Sequence, residues 1–114
     1  MLVVDDDDGI IEMLRRALVH ARYQVVAATT VARARAAIDT HVFDAVVTDL
    51  RLGDGSGLDV FAAARARAPS LPVVFLGGDL DAEPGIGGLP PPIWCLAKPT
   101  GVTQLVAVLK TAVR

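Results

Sequence analysis

The chain has one cysteine, Cys95, in 114 residues. That excludes an internal disulfide and fits a reducing compartment. No apolar run approaches the ~20 residues a membrane-spanning helix needs. The N-terminus lacks a basic flank and has only three apolar residues after Met1, so no signal peptide is visible. There is no clustered basic stripe. With 11 basic and 13 acidic residues and a net charge of -2, the balance argues against a nucleic-acid surface. No internal repeat and no second domain stands out. The expectation is one soluble, cytoplasmic domain over residues 1–114, with neither nucleic acid nor membrane among its partners.

What is present is apolar and alternating. The chain is 53% hydrophobic, and short β-branched runs alternate with segments of helical period. Strands are predicted at Leu2–Val4, Tyr23–Ala27, Phe43–Thr48, residues 72–76 and residues 93–97. Helices are predicted at Gly9–Arg22, from a Thr30 cap through Ile38, at Leu58–Arg67 and at Val102–Val113. "LGDGSG" (52–57) reads as a loop. The segment 77–92 holds too many glycines and prolines for a full helix, and at most a short turn near Leu80–Glu83 is allowed. The pattern predicts an α/β fold: a doubly wound, five-stranded parallel sheet with a short or missing fourth helix; if its order is 2-1-3-4-5, the flavodoxin-like one, strands one and three flank the point where the order reverses.

Such sheets bind ligands outside the carboxyl ends of their strands, where the strand order reverses. Asp5 and Asp6 end strand one, Asp49 ends strand three, and Lys98 follows strand five. Three carboxylates and one ammonium should therefore share a cleft. Crowded carboxylates repel unless a cation or proton joins them. A hard divalent cation such as Mg2+ resolves this with oxygen ligands, and an aspartate beside it can act as a nucleophile toward phosphorus. Asp7 and Asp8 need no metal role, since capping of the first helix explains them.

The set "VVDD" (3–6), "DAVVTDLRLGDGSGLDV" (44–60), "LPVVFL" (71–76) and "LAKP" (96–99) resembles the receiver domain of two-component response regulators, across essentially the whole chain. The resemblance implies Asp49 as phosphoacceptor and Lys98 as the lysine that pairs with it. It implies Asp5, Asp6, Asp49 and the carbonyl of Arg51 as Mg2+ ligands, and a cis bond at Lys98–Pro99. It also implies a sensor histidine kinase or a histidine phosphotransfer protein as partner, and it is compatible with a homodimer.

Departures from the family pattern fall at the switch positions. Gly77 stands where the family has a Ser or Thr hydroxyl; Gly78 could still offer a backbone N–H. Cys95 stands where an aromatic is common, with Trp94 on the opposite face. Two alternatives therefore remain: a degenerate receiver acting by protein contact alone, and a Mg2+-dependent phosphohydrolase with an aspartate nucleophile. Arg51, where such hydrolases carry a second aspartate, weighs against the latter. Cys95 is expected to be a small buried apolar residue, and Trp94 to cover the sheet or an interface. His20 and His41 lack metal-ligand spacing. "GDGSG" lacks the ending of a phosphate-binding loop.

Overall fold

The structure is a computed structural model and describes residues 1–77, 85–98 and 101–113. In chain order the elements are β1 (Leu2–Val4), α1 (Asp8–His20), β2 (Val26–Ala28), α2 (Val31–Thr40), β3 (Val46–Asp49), β4 (Arg51–Leu52), β5 (Gly55–Ser56), α3 (Gly57–Arg67), β6 (Val73–Gly77), β7 (Ile93–Ala97) and α4 (Val102–Ala112). Five strands form one parallel sheet in the order β2-β1-β3-β6-β7. This is the expected 2-1-3-4-5 arrangement, because β4 and β5 form a separate two-stranded sheet.

Strand alternation divides the core into two. Leu2, Val4, Val46, Val73 and Phe75 face one side and pack with residues of α2 and α3. Val3, Val47, Val74 and Leu76 face the other and pack with Ile11, Leu14, Leu18, Leu105 and Leu109 of α1 and α4. The central strands are thus buried on both faces, which is why they read as continuous apolar runs. Helix starts follow their predicted caps. Asp7 accepts from the N–H groups of Gly9 and Ile10, and Thr30 from that of Arg33.

Four local expectations change. β3 begins at Val46 rather than Phe43. β2 begins at Val26 rather than Tyr23. Arg22 has φ 73°, and its N–H and that of Tyr23 donate to Val19 and Leu18. This left-handed closure of α1 uses up the first residues of the predicted strand. The 52–57 loop is a tight antiparallel hairpin, pairing Arg51 with Ser56 and Leu52 with Gly55. Cys95 is exposed, not buried. Among the described residues β7 is an edge strand of the sheet, beside β6, and Cys95 and Ile93 share a face. Trp94, on the other face, is half-buried against the α1–α4 core. The expected turn near Leu80–Glu83 lies outside the described residues.

The entry to β7 is held by one side chain. Arg65 of α3 lies over the Phe61 ring, its carbon 4.7 Å from the centroid. It donates to the carbonyls of Leu71, Pro90 and Pro92 at 2.8–2.9 Å. Guanidinium suits this task because it offers several donors in a rigid fork.

Candidate functional site

The sheet register builds the site. Val4 of β1 pairs with Thr48 of β3, so Asp5 and Asp49 leave adjacent strands at the same level. Asp49 pairs with Leu76, and the next residue of β6, Gly77, pairs with Ala97 of β7. The Lys98 N–H then donates to the Gly77 carbonyl at 2.8 Å. Four strands thus deliver Asp5, Asp49, Gly77 and Lys98 to one end of the sheet.

The side chains converge. Asp5, Asp6 and Asp49 each offer a carboxylate oxygen within 4.8 Å of the others. Lys98 Nζ lies 3.0 Å from Asp5 Oδ2 and 3.0 Å from Asp49 Oδ2. Asp5 is 1% exposed and Asp49 8%, whereas Asp6 is open to solvent. Asp5 Oδ1 also accepts the Asp7 N–H at 3.0 Å. Burial pushes the Asp5 carboxyl above its ordinary value, and the bonds from Asp7 and Lys98 offset this only in part. Burial disfavours the Lys98 ammonium, but Asp5 and Asp49 outweigh it and hold the group above its ordinary value.

One ammonium cannot balance three carboxylates. Two negative charges of the cluster remain unmatched if all three are ionised, which is the complement of a hard divalent cation with oxygen ligands. The donor set therefore fits Mg2+. Arg51 starts β4, two residues beyond Asp49. Gly78 and the Lys98–Pro99 bond lie outside the described residues. His20 and His41 join no acidic cluster among the described residues; His41 stacks on Phe43 at 5.6 Å.

The family model of the response regulator receiver domain matches residues 1–110. The chain belongs to this family. The transcriptional regulatory protein KdpE of Mycobacterium tuberculosis is 36% identical over the full chain and 50% of its own length. The alginate biosynthesis transcriptional regulatory protein AlgB of Pseudomonas aeruginosa is 40% identical over 67% of this chain and 17% of its own. The chain spans at most half the length of these two curated relatives. Among solved structures, a receiver protein from Sinorhizobium medicae superposes with a TM-score of 0.88 at 27% identity, covering 97% of this chain and 90% of that one. A response regulator from Chloroflexus aurantiacus gives 0.85 at 30% identity, covering 97% and 93%.

Receivers are signalling modules of two-component systems and not enzymes in the usual sense, so the phosphohydrolase reading is set aside. They work with histidine kinases or phosphotransfer proteins, and they generally bind Mg2+ at an acidic cluster of the kind found here. No helix among the described residues is long and apolar enough to cross a membrane.

Two residues around the site escape the sequence-level reading, as does one at the opposite end of the sheet. Gly57 runs against the backbone of Asp49. Asp54 bonds from the hairpin to α2. Arg65 holds the entry to β7. The Gly53-Asp54 pair, the two-residue loop between Leu52 and Gly55, is a hairpin signal that could have revealed this turn after Asp49; the other two contacts are tertiary and carry no local mark.

Proposed function

We propose that the chain is one cytoplasmic receiver domain whose Asp49 accepts a phosphoryl group from a histidine on a sensor kinase or phosphotransfer protein. The observation that carries this reading is the position of Lys98 Nζ, 3.0 Å from both Asp5 and Asp49 beside a third carboxylate. A carboxylate oxygen of Asp49 attacks phosphorus. The bond from phosphorus to the histidine nitrogen breaks, and its electron pair returns to the imidazole, which takes a proton from solvent. Lys98 orients Asp49 and places positive charge beside the transferring oxygens. Asp5, Asp6, Asp49 and the Arg51 carbonyl would hold Mg2+, which supplies further positive charge against those oxygens when bound.

A second reading has its own support. Gly77 has no hydroxyl to offer, and its carbonyl is engaged by Lys98. Cys95, at the other switch position, is exposed. Both favour a module that signals by contact, without a phosphorylation switch.

Acetyl phosphate with Mg2+, followed by intact mass, separates the two. One added phosphoryl group in the wild type, absent in Asp49→Ala, supports the first reading. No addition, with no binding of Mg2+ or beryllofluoride, supports the second.

A further inference from the structure

We propose that the first turn of α2 responds to the state of the Asp49 site through the β4–β5 hairpin, with Asp54 as the link. The inference rests on the reading of Asp49 as phosphoacceptor. The hairpin starts two residues after Asp49 and is fixed along its length. At its root, the Gly57 N–H donates to the Leu50 carbonyl at 2.9 Å. Leu52 is buried in the α2–α3 core. On the α3 side, the Ser56 N–H donates to Asp59 and the Leu58 N–H to Ser56 Oγ, closing a capping box.

The tip crosses to a different element. Asp54 Oδ1 accepts the Val31 N–H at 2.8 Å, and Oδ2 accepts the Ala32 N–H at 3.1 Å. These bonds hold the Asp54 carboxyl below its ordinary value. Gly55 beside it is confined: a Cβ there would lie 2.6 Å from Asp59 and 3.1 Å from Val31. A shift at residues 49–51 must therefore carry the tip or break the hairpin ladder. Carrying the tip alters both bonds to α2. The N–H groups concerned are among those a helix cannot satisfy internally, so losing Asp54 loosens the first turn. Thr30 caps the same turn from within the helix, through Arg33. α2 thus has one cap of its own and one that belongs to the hairpin. Coupling of this kind is reciprocal, so a change in the first turn of α2 also alters loading of the site.

The test is nitrogen-15 NMR with amide exchange, on the whole chain, before and after addition of Mg2+ and beryllofluoride. Loading should move the amides of Asp6 and Asp49. It should also change exchange at Val31 and Ala32 by about fivefold or more, the low end of site-to-site coupling. Asp54→Ala should keep the first effect and lose the second. Asp54→Asn retains one acceptor oxygen and should give a smaller response. Thr30→Ala loosens the same turn without cutting the link and should leave the response in place. Loading with no change at Val31 and Ala32, or with the same change in Asp54→Ala, overturns the inference and leaves the Asp49 reading standing. No movement at Asp6 and Asp49 overturns that reading and the inference with it.

Discussion

Gly57 passes so close to Asp49 that a methyl group on it would stand 2.5 Å from the Asp49 carbonyl oxygen. The neighbour is backbone, so it cannot rotate away. Gly57→Ala must push the end of β3 or the start of α3 aside. A loss of about 1–3 kcal/mol is expected, the usual cost of overpacking. Denaturant unfolding measures it, and acetyl phosphate labelling of the same variant should slow as Asp49 shifts. An unchanged midpoint would mean that the two segments separate freely.

Arg22 closes α1 in a left-handed conformation at φ 73°, where a side chain is disfavoured and glycine is at ease. Its side chain is exposed. Arg22→Gly should therefore stabilise the chain, by about 0.5–1 kcal/mol after allowing for the greater freedom of glycine in the unfolded state. Thermal unfolding reads this directly. A lower melting temperature would show that Arg22 makes a contribution its backbone conceals.

Asp5 works against the stability of the metal-free chain. Its carboxyl is held above its ordinary value by burial, so the folded state binds that proton more tightly than the unfolded state. Stability falls as pH rises from the unfolded value through the folded one, and the cost is fully present at neutral pH. Asp5→Asn should raise stability at pH 7 without Mg2+, by about 0.5–2 kcal/mol. The gain should vanish below about pH 3.5, where both states of the wild type carry the proton. Paired denaturant curves at the two pH values check the sign.

Asp6 presents the opposite case. It is exposed, so Asp6→Asn should change metal-free stability by less than about 0.5 kcal/mol. Saturating Mg2+ should stabilise the wild type by about 2.7 kcal/mol at a hundredfold excess over its dissociation constant. The variant should lose most of that increment. Equal stabilisation of both proteins by Mg2+ would remove Asp6 from the proposed ligand set.

Arg65→Lys keeps the charge but not the fork. Lys cannot reach the carbonyls of Leu71, Pro90 and Pro92 together, so about 1–3 kcal/mol should be lost. Amide exchange at Val73, whose N–H donates to Pro92, should speed up before exchange at Val47 in the central strand.

The alternation of strands and helices and the acidic cluster were legible because both depend on local pattern; the sheet order is not local and came with the family resemblance. Continuous apolar strands announce burial on both faces, and Asp5, Asp49 and Lys98 follow directly from where those strands end. Cys95 was misread because strand identity alone says nothing about cover. Phe75, its register partner on β6, is fully buried, while Cys95 sits on the edge. The start of β2 was misplaced because Tyr23–Val25 have strand-like residues, whereas the closure of α1 at Arg22 decides where extended pairing begins. The Arg65 clamp joins residues 25 and more positions apart, a separation at which spacing carries no signal.

The four aspartates at 5–8 do four different things. Asp5 is buried against Lys98, Asp6 opens on the carboxylate cluster, Asp7 caps α1 and Asp8 lies in its first turn. Deleting any one would leave a run of three and barely alter the composition. It would also shorten the span between β1 and α1 by one residue. The turn would then have to stretch, or α1 would have to rotate by about 100°. That rotation would carry Ile11, Leu14 and Leu18 off the sheet. The run therefore acts as a spacer of fixed length, and its register is under tighter constraint than its charge.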